Sequence, residues 1–367
     1  MRVALLTYST RPRGGVVHTL ALAEALAALG EDVHVWTLGR GGDTAFFRPV
    51  APSVTVHAVP FDDPDPDVGR RIVRSIEVLR AAFAPQRSSY DVVHAQDCIS
   101  ANAALPRTGE EHCVRTIHHL DTFTTPELAA CHERAVVEPT ARICVSAAVA
   151  AEVSAGWGLS PTVIPNGVDA DRFAAGALDA AGRARWASLG PYVLALGGIE
   201  PRKGSLDLLE AFALLRASRP GLALVIGGGE TLFDYRDYRA AFDARAAALG
   251  ISPVVLGTLG EDELPSLVAQ AAALAMVSTK EGFGLAAMEA LAAGVPVVAR
   301  DLPVLREVLG DCVGFGSDPA SIATALGSVL DDPPDPAPGR ALAASYTWER
   351  AARAHRDFYA TLPGRIS

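Results

Sequence analysis

Apolar residues recur along this chain as short unbroken runs, spaced by longer stretches in which one helical face is apolar. The runs 3–8, 33–38, 54–59, 92–95, 114–117, 143–145 and 162–164 read as strands buried on both sides. Residues 16–29, stopped by Gly30, read as a helix after a Gly14-Gly15 turn, and the pattern is again helical between most of the later runs. Such alternation predicts a parallel sheet covered on both faces. From 169 to 191 it weakens into a polar, glycine-bearing stretch, read as a linker and one helix. It then restarts, with strands at 192–196, 222–226, 254–256 and 273–277 and helices at 206–216, 235–248 and 263–271. A proline-rich connector at 331–339 leads to a last helix at 348–359.

At 367 residues the chain exceeds what one core usually serves. The expectation is an α/β protein of two doubly wound domains, 1–168 and 169–345, with 346–367 packing back on the first and a cleft between the two. The net charge of -10, from 42 acidic and 32 basic residues, argues against a general nucleic-acid binder but allows a local phosphate site. Cys98, Cys113, Cys131, Cys144 and Cys312 form no C-x-x-C pair, so neither a disulfide nor zinc is expected. The N-terminal segment has only 3–6 as a continuous apolar core, and no later run reaches membrane-spanning length. Both features predict a cytoplasmic protein.

The densest chemistry lies at 278–299, STKEGFGLAAMEALAAGVPVVA. A loop with Glu281, Gly282, Phe283 and Gly284 precedes a helix of good formers that begins at Leu285 and is stopped by Gly294. The glycines let backbone N–H groups approach a ligand, and the helix start favours an anion. Glu281 before the helix and Glu289 early in it can hold hydroxyls on either side of a bound phosphate, as a sugar nucleotide requires. The plainer alternative is a solvated loop with two incidental glutamates.

Gly197-Gly198-Ile199-Glu200-Pro201-Arg202-Lys203-Gly204 follows a strand. Arg202 supplies a planar fork and Lys203 a point charge, a pair suited to a diphosphate. As plain surface charges they would oppose the dipole of the next helix. In the first half, Gly14, Gly15 and His118 stand just after strands, where open parallel sheets bind ligands. A neutral imidazole there can hydrogen-bond a hydroxyl, whereas His119, His18 and His94 read better as structural.

Together these residues resemble the retaining glycosyltransferases of family 4, whose GT-B fold sets two Rossmann-like doubly wound domains facing one another. The resemblance rests on Gly14-Gly15, Thr116-Ile117-His118, Pro165-Asn166-Gly167-Val168-Asp169 with Phe173, Glu200-Pro201-Arg202-Lys203-Gly204, and Glu281-Gly282-Phe283-Gly284-Leu285 with Glu289. It spans nearly the whole chain, and the E-x7-E pair is its most specific part. It implies an acceptor domain at 1–168 and a nucleotide-sugar donor domain at 169–345. It also implies that Arg202 and Lys203 bind the donor diphosphate, Glu281 the donor sugar and Glu289 the ribose. Gly198, Gly282, Phe283, Gly284 and Leu285 would complete the donor site, Gly15 and His118 would lie beside the transferred sugar, and Gly14 and Gly15 would serve the acceptor. Many members have Gly-Arg where this chain has Gly197-Gly198, which moves the arginine role to Arg202.

The implied reaction retains the anomeric configuration. Arg202, Lys203 and the Gly284-Leu285 amides would stabilise charge on the departing diphosphate with no metal and no other cofactor, and the catalytic set would be His118, Arg202, Lys203 and Glu281. Asp63, Asp65 and Asp67 have D-x-D spacing but lie in a proline-broken loop of the first half, so no metal role is assigned to them. The acceptor is expected to be a small molecule, a glycan or a lipid-linked compound. Segment 69–87 sets Ile72, Ile76, Leu79 and Phe83 on one helical face with Arg70, Arg71, Arg74, Arg80 and Arg87 around it. It reads first as a core-packed helix and second as a peripheral contact with the inner membrane face. A nicotinamide oxidoreductase should show G-x-G-x-x-G, which is missing. A non-catalytic nucleotide-sugar binder, or an epimerase of the same fold, would keep the same grip.

Overall fold

The computed structural model describes residues 1–105, 112–121, 123, 125–229 and 235–362. In chain order the first part holds β1 (Arg2–Leu6), α1 (Gly14–Ala28), β2 (Asp32–Arg40), β3 (Val54–Phe61), α2 (Val68–Phe83) and β4 (Val92–Ala95). α3 (Cys98–Ala104), β5 (Val114–Ile117), α4 (Pro126–Val137), β6 (Ala141–Cys144), α5 (Ala147–Trp157) and β7 (Thr162–Val163) come next. These strands form one sheet in the order β3-β2-β1-β4-β5-β6-β7, with every pairing parallel. Val3 stands between Val33 and Val92, and the three belong to a core with Leu5, Leu22 and Leu26. Burial on both faces explains why a central strand such as β1 is apolar without a break from Val3 to Leu6, all fully buried.

The second part holds α6 (Ala170–Leu178), α7 (Ala180–Ala187), β8 (Tyr192–Leu196), α8 (Ser205–Arg216), β9 (Ala223–Gly227), α9 (Arg236–Ala248) and β10 (Val254–Gly257). After these come α10 (Leu264–Gln270), β11 (Ala273–Met276), α11 (Leu285–Ala293), β12 (Val297–Arg300), α12 (Pro303–Leu309), β13 (Gly314–Gly316), α13 (Pro319–Asp331) and α14 (Pro336–Ser345). Its parallel sheet runs β10-β9-β8-β11-β12-β13, the same winding as the first six strands of the other sheet. The last helix, α15 (Trp348–Ala360), belongs to the first unit, so the compact units are Met1–Gly167 with the residues from Trp348 on, and Val168–Thr347. Tyr359 fixes α15 there: its hydroxyl lies 2.6 Å from Nδ1 of the buried His94, whose Nε2 meets the Thr116 hydroxyl at 2.7 Å.

Several local expectations are corrected. Gly14 and Gly15 open α1 instead of forming a turn, because Arg13 already takes the extended N-cap position. Residues 169–191 hold two helices, capped by the side chains of Asp169 and Asp179. α14 begins inside the supposed connector: Asp335 accepts from the Ala337 amide, and Pro336 and Pro338 sit in a first turn that needs no N–H donors. α2, by contrast, is the core-packed helix first expected of 69–87: Ile72, Ile76, Leu79 and Phe83 are each no more than 7 % exposed, so the apolar face that the second reading, a membrane contact, would need is inside the protein. Its arginines are engaged as well, Arg70 with Asp65 at 2.7 Å, Arg74 with Asp63 at 3.6 Å and Arg80 with the Asn102 carbonyl at 2.5 Å. The Asp63-Asp65-Asp67 run thus serves α2, with Asp67 as its N-cap. No described helix is long and apolar enough to cross a membrane.

Replacing Tyr359 by Phe strands the His94 ring nitrogen in an apolar interior and is expected to cost the first unit about 1–2 kcal/mol. The check is its melting transition, which should fall; an unchanged midpoint would mean that His94 does not depend on this partner.

Candidate functional site

In the second sheet β8 lies between β9 and β11, so its crossovers leave in opposite directions and a crevice opens at the carboxyl ends of β8 and β11. After β8 the chain turns through Gly197 and Gly198, both with positive φ (117° and 82°). A Cβ on Gly197 would stand 2.6 Å from the Lys203 Cε, so glycine lets the lysine stem lie across the loop. Arg202 and Lys203 occupy a short 3₁₀ turn closed by Gly204, also at positive φ (64°), which feeds α8. The loop after β11 is tied to that turn, because the Thr279 amide donates to the Arg202 carbonyl at 2.8 Å.

Across this join Lys203 Nζ donates to Glu281 Oε1 at 2.6 Å. Arg202 reaches the same oxygen at 3.5 Å and Glu200 at 3.1 Å. Burial raises the Glu281 pKa, but Lys203 and then Arg202 outweigh it and hold the carboxyl at about 2. The cluster is a ready exchange site: an anion arriving at Arg202 and Lys203 meets two cations whose present partners are carboxylates. α11 starts beside it with Gly284 at its N-cap, at φ 94° and with no side chain to satisfy the first amides. Those amides and the positive end of the helix suit a phosphate.

Glu289 stands in the second turn of α11, and its surroundings act in the opposite direction. Burial raises its pKa to about 8, with Arg172 opposing and Glu261 and Asp169 reinforcing the shift. Arg172 is itself committed to Glu261 at 3.0 Å, so it relieves Glu289 only in part. Phe283, expected among the ligand residues, is only 3 % exposed, and its ring packs edge-on to Tyr346 at 5.4 Å. Its side chain fills the core, which leaves its backbone for any ligand.

The first unit gathers Gly14, Gly15 and His118. A Cβ on Gly15 would lie 3.6 Å from His118 Cδ2, so this ring is backed by the first turn of α1. Burial, and then the charges of Arg115 and His119, lower the His118 pKa well below the ordinary histidine value, which leaves a neutral ring. His18 meets it edge-on at 4.7 Å and is held from behind by Asn166 Oδ1 at 2.9 Å from its Nδ1. His119 turns away to Asp121 at 3.2 Å.

The structure therefore brings Arg202, Lys203, Glu281, Gly198 and the Gly284-Leu285 helix start to one sheet edge, and Gly14, Gly15 and His118 to the corresponding edge of the other unit. Sequence reasoning missed Glu200 as the partner of Arg202 and the group Asp169, Arg172 and Glu261 around Glu289. Of these, Asp169 lay inside a recognised motif, but only the packing of α6 and α10 against α11 reveals the group.

Two family models match the chain: "Glycosyltransferase Family 4" over residues 12–172 and "Glycosyl transferases group 1" over residues 184–342. A D-inositol 3-phosphate glycosyltransferase of Streptomyces scabiei is 30% identical, over 98% of this chain and 90% of that protein. A glycogen synthase of Mycobacterium tuberculosis is also 30% identical, over 98% and 94% of the respective chains. Among solved structures, Anabaena HepE in complex with UDP and glucose superposes with a TM-score of 0.74 over 99% of this chain and 100% of that one, at 18% identity. That likeness places the two α/β units in the GT-B fold.

The Glu289 shift makes a pH prediction. An unfolded glutamate loses its proton near 4.5, whereas the folded one keeps it to about 8, so the proton favours the folded state. The stabilisation is fully present below 4.5 and is lost as pH rises through about 8. The melting temperature of the second unit should fall across that window, and Glu289→Gln should flatten this component. An identical pH slope in the variant would show that Glu289 titrates normally.

Proposed function

The chain belongs to the glycosyltransferases that join a family 4 domain to a group 1 domain, and on that premise we propose that it moves a sugar from a nucleotide-diphosphate sugar to an acceptor hydroxyl, with retention of configuration and without a metal. The observation that carries this reading is the Arg202–Lys203–Glu281 cluster beside the uncapped start of α11. A diphosphate bound there takes the two cations and the Gly284-Leu285 amides, and Glu281, released from Lys203, accepts hydrogen bonds from the donor sugar. Glu289 takes the ribose hydroxyls, and the neutral His118 and Gly15 address the transferred sugar.

In the reaction the bond between the anomeric carbon and the β-phosphate oxygen breaks, and the acceptor oxygen bonds to the same face of that carbon. The acceptor proton passes to the departing phosphate, so no protein nucleophile is needed. Arg202, Lys203 and the helix amides act where negative charge grows, which lowers the barrier more than it tightens ground-state binding. An epimerase or a binding protein built on this grip would release no glycoside, and product analysis separates them from a transferase.

HepE was solved with UDP and glucose, so UDP-glucose heads a thermal-shift panel of UDP-, GDP- and ADP-sugars with and without EDTA. One nucleotide class should raise the melting temperature, and EDTA should not change that; no shift at millimolar ligand would reject the donor site. Lys203→Ala and Glu289→Ala should each weaken binding of the stabilising nucleotide by about tenfold or more in calorimetry, since the first removes a charge-assisted phosphate contact and the second the hydrogen bonds to the ribose. Wild-type affinity in both would reject the residue assignment. His118→Ala should lower kcat more than it raises KM.

A further inference from the structure

α3 and α4 follow neighbouring strands, β4 and β5, and pack against each other. Each brings one cysteine to the contact, Cys98 from the first turn of α3 and Cys131 from the middle of α4. The Asn102 side chain holds the two backbones together, its Nδ2 donating to the Cys98 carbonyl at 2.9 Å and to the Cys131 carbonyl at 2.8 Å. Beside this clamp Cys98 Sγ stands 3.5 Å from the Cys131 carbonyl oxygen, and the two thiols are within hydrogen-bonding reach of each other.

The remaining cysteines are placed differently. Cys113 and Cys144 are fully buried, which pushes their thiols up to about 11 and about 12. Cys312 lies in the second unit, its thiol raised by burial and then by Asp311. Cys98 and Cys131 are both partly exposed. Their mutual hydrogen bond raises the Cys98 pKa and lowers that of Cys131; burial of Cys131 opposes this, and Arg134 and then Arg80 favour its thiolate. A partly exposed thiol with thiolate character next to a second thiol is the arrangement that oxidises reversibly.

We infer that Cys98 and Cys131 are an oxidation site, where a peroxide converts the two thiols into a disulfide that fastens α3 to α4 and a thiol reductant reopens it. The Cys131 thiolate attacks one oxygen of hydrogen peroxide, the O–O bond breaks, and the departing hydroxide takes a proton to become water. Cys131 is left as a sulfenic acid. The Cys98 sulfur then attacks the Cys131 sulfur, the S–O bond breaks, and the leaving hydroxide takes the Cys98 proton as a second water. Two thiols thus lose two electrons and two protons, and the peroxide is reduced to two waters. All five cysteines are free in the structure, which is the reduced form. α3 begins just after Asp97, and α4 follows the stretch that begins at His118, so the bond restrains the chain beyond both strands.

The test treats the full chain with hydrogen peroxide, blocks the remaining thiols with N-ethylmaleimide in denaturant, and reads tryptic peptides from the single-chain band of a non-reducing gel. Wild type should lose labelling at two of its five cysteines, yield one cross-linked peptide joining Cys98 to Cys131, and recover full labelling after dithiothreitol. Cys98→Ser should stop at a Cys131 sulfenic acid that dimedone traps, whereas Cys131→Ser should leave Cys98 reduced. In oxidised wild type, amide exchange over α3 and α4 should slow by at least about threefold, because parting the helices now strains a covalent bond. Full labelling after peroxide, a disulfide between other cysteines or between two chains, or a sulfenic acid elsewhere than on Cys131 in Cys98→Ser would each overturn the site. The wild-type peptide map decides this even where a serine variant does not fold. A disulfide that forms with amide exchange unchanged would overturn the fastening of α3 to α4.

Discussion

The ion pair between Lys203 and Glu281, 2.6 Å long and largely enclosed, is the contact on which the carboxyl edge of the second unit's sheet depends. It joins the loop after β8 to the loop after β11 across the point where the sheet's winding reverses. A carboxylate taken this far out of water would become neutral on its own, and the adjacent cations keep Glu281 ionised. A buried pair of this kind contributes little net stability, since desolvation offsets most of the attraction. Its value lies in holding two cations in position, with a partner that an incoming anion can replace.

The same segment shows how environment divides one residue type into two roles. Glu281 and Glu289 lie eight positions apart, one before α11 and one in its second turn. Two cations depress the pKa of the first, whereas burial among other carboxylates raises that of the second. One glutamate is a permanent anion, and the other is poised to exchange a proton near neutral pH. Neither state can be assigned from the residue type alone.

The two sheets share a winding order but carry different chemistry at their switch points. In the second, charged side chains meet a glycine-capped helix. In the first, burial lowers the pKa of His118 just after β5, and of His18, His94 and His355 with it, so the group is uncharged. Parallel pairing imposes the common geometry by placing every strand's carboxyl end on one edge of its sheet. The residues just beyond each strand then differ: two cations and an acid after β8 and β11, an amide after β4.

The alternation of apolar runs and helical stretches was enough to determine two parallel α/β sheets and most of their strands, because a strand buried on both faces must be apolar along its length. β4, β5 and β8 appear where the pattern placed them, and α11 runs from Leu285 to Ala293, where glycines mark both ends. β13 escaped notice because Gly314-Phe315-Gly316 is too short and too glycine-rich to register as an apolar run. α14 was hidden by prolines that a first helical turn accepts. The residue types at the second sheet's edge were legible because glycine, cation and acid succeed each other locally. Tertiary structure alone decided which charges meet, that Phe283 turns inward, and that the Gln96 side chain is buried with no hydrogen-bond partner among the described residues. The reason is physical: periodicity reports whether a position faces the interior, but hydrogen-bond partners and pKa depend on what other segments bring to the same point in space.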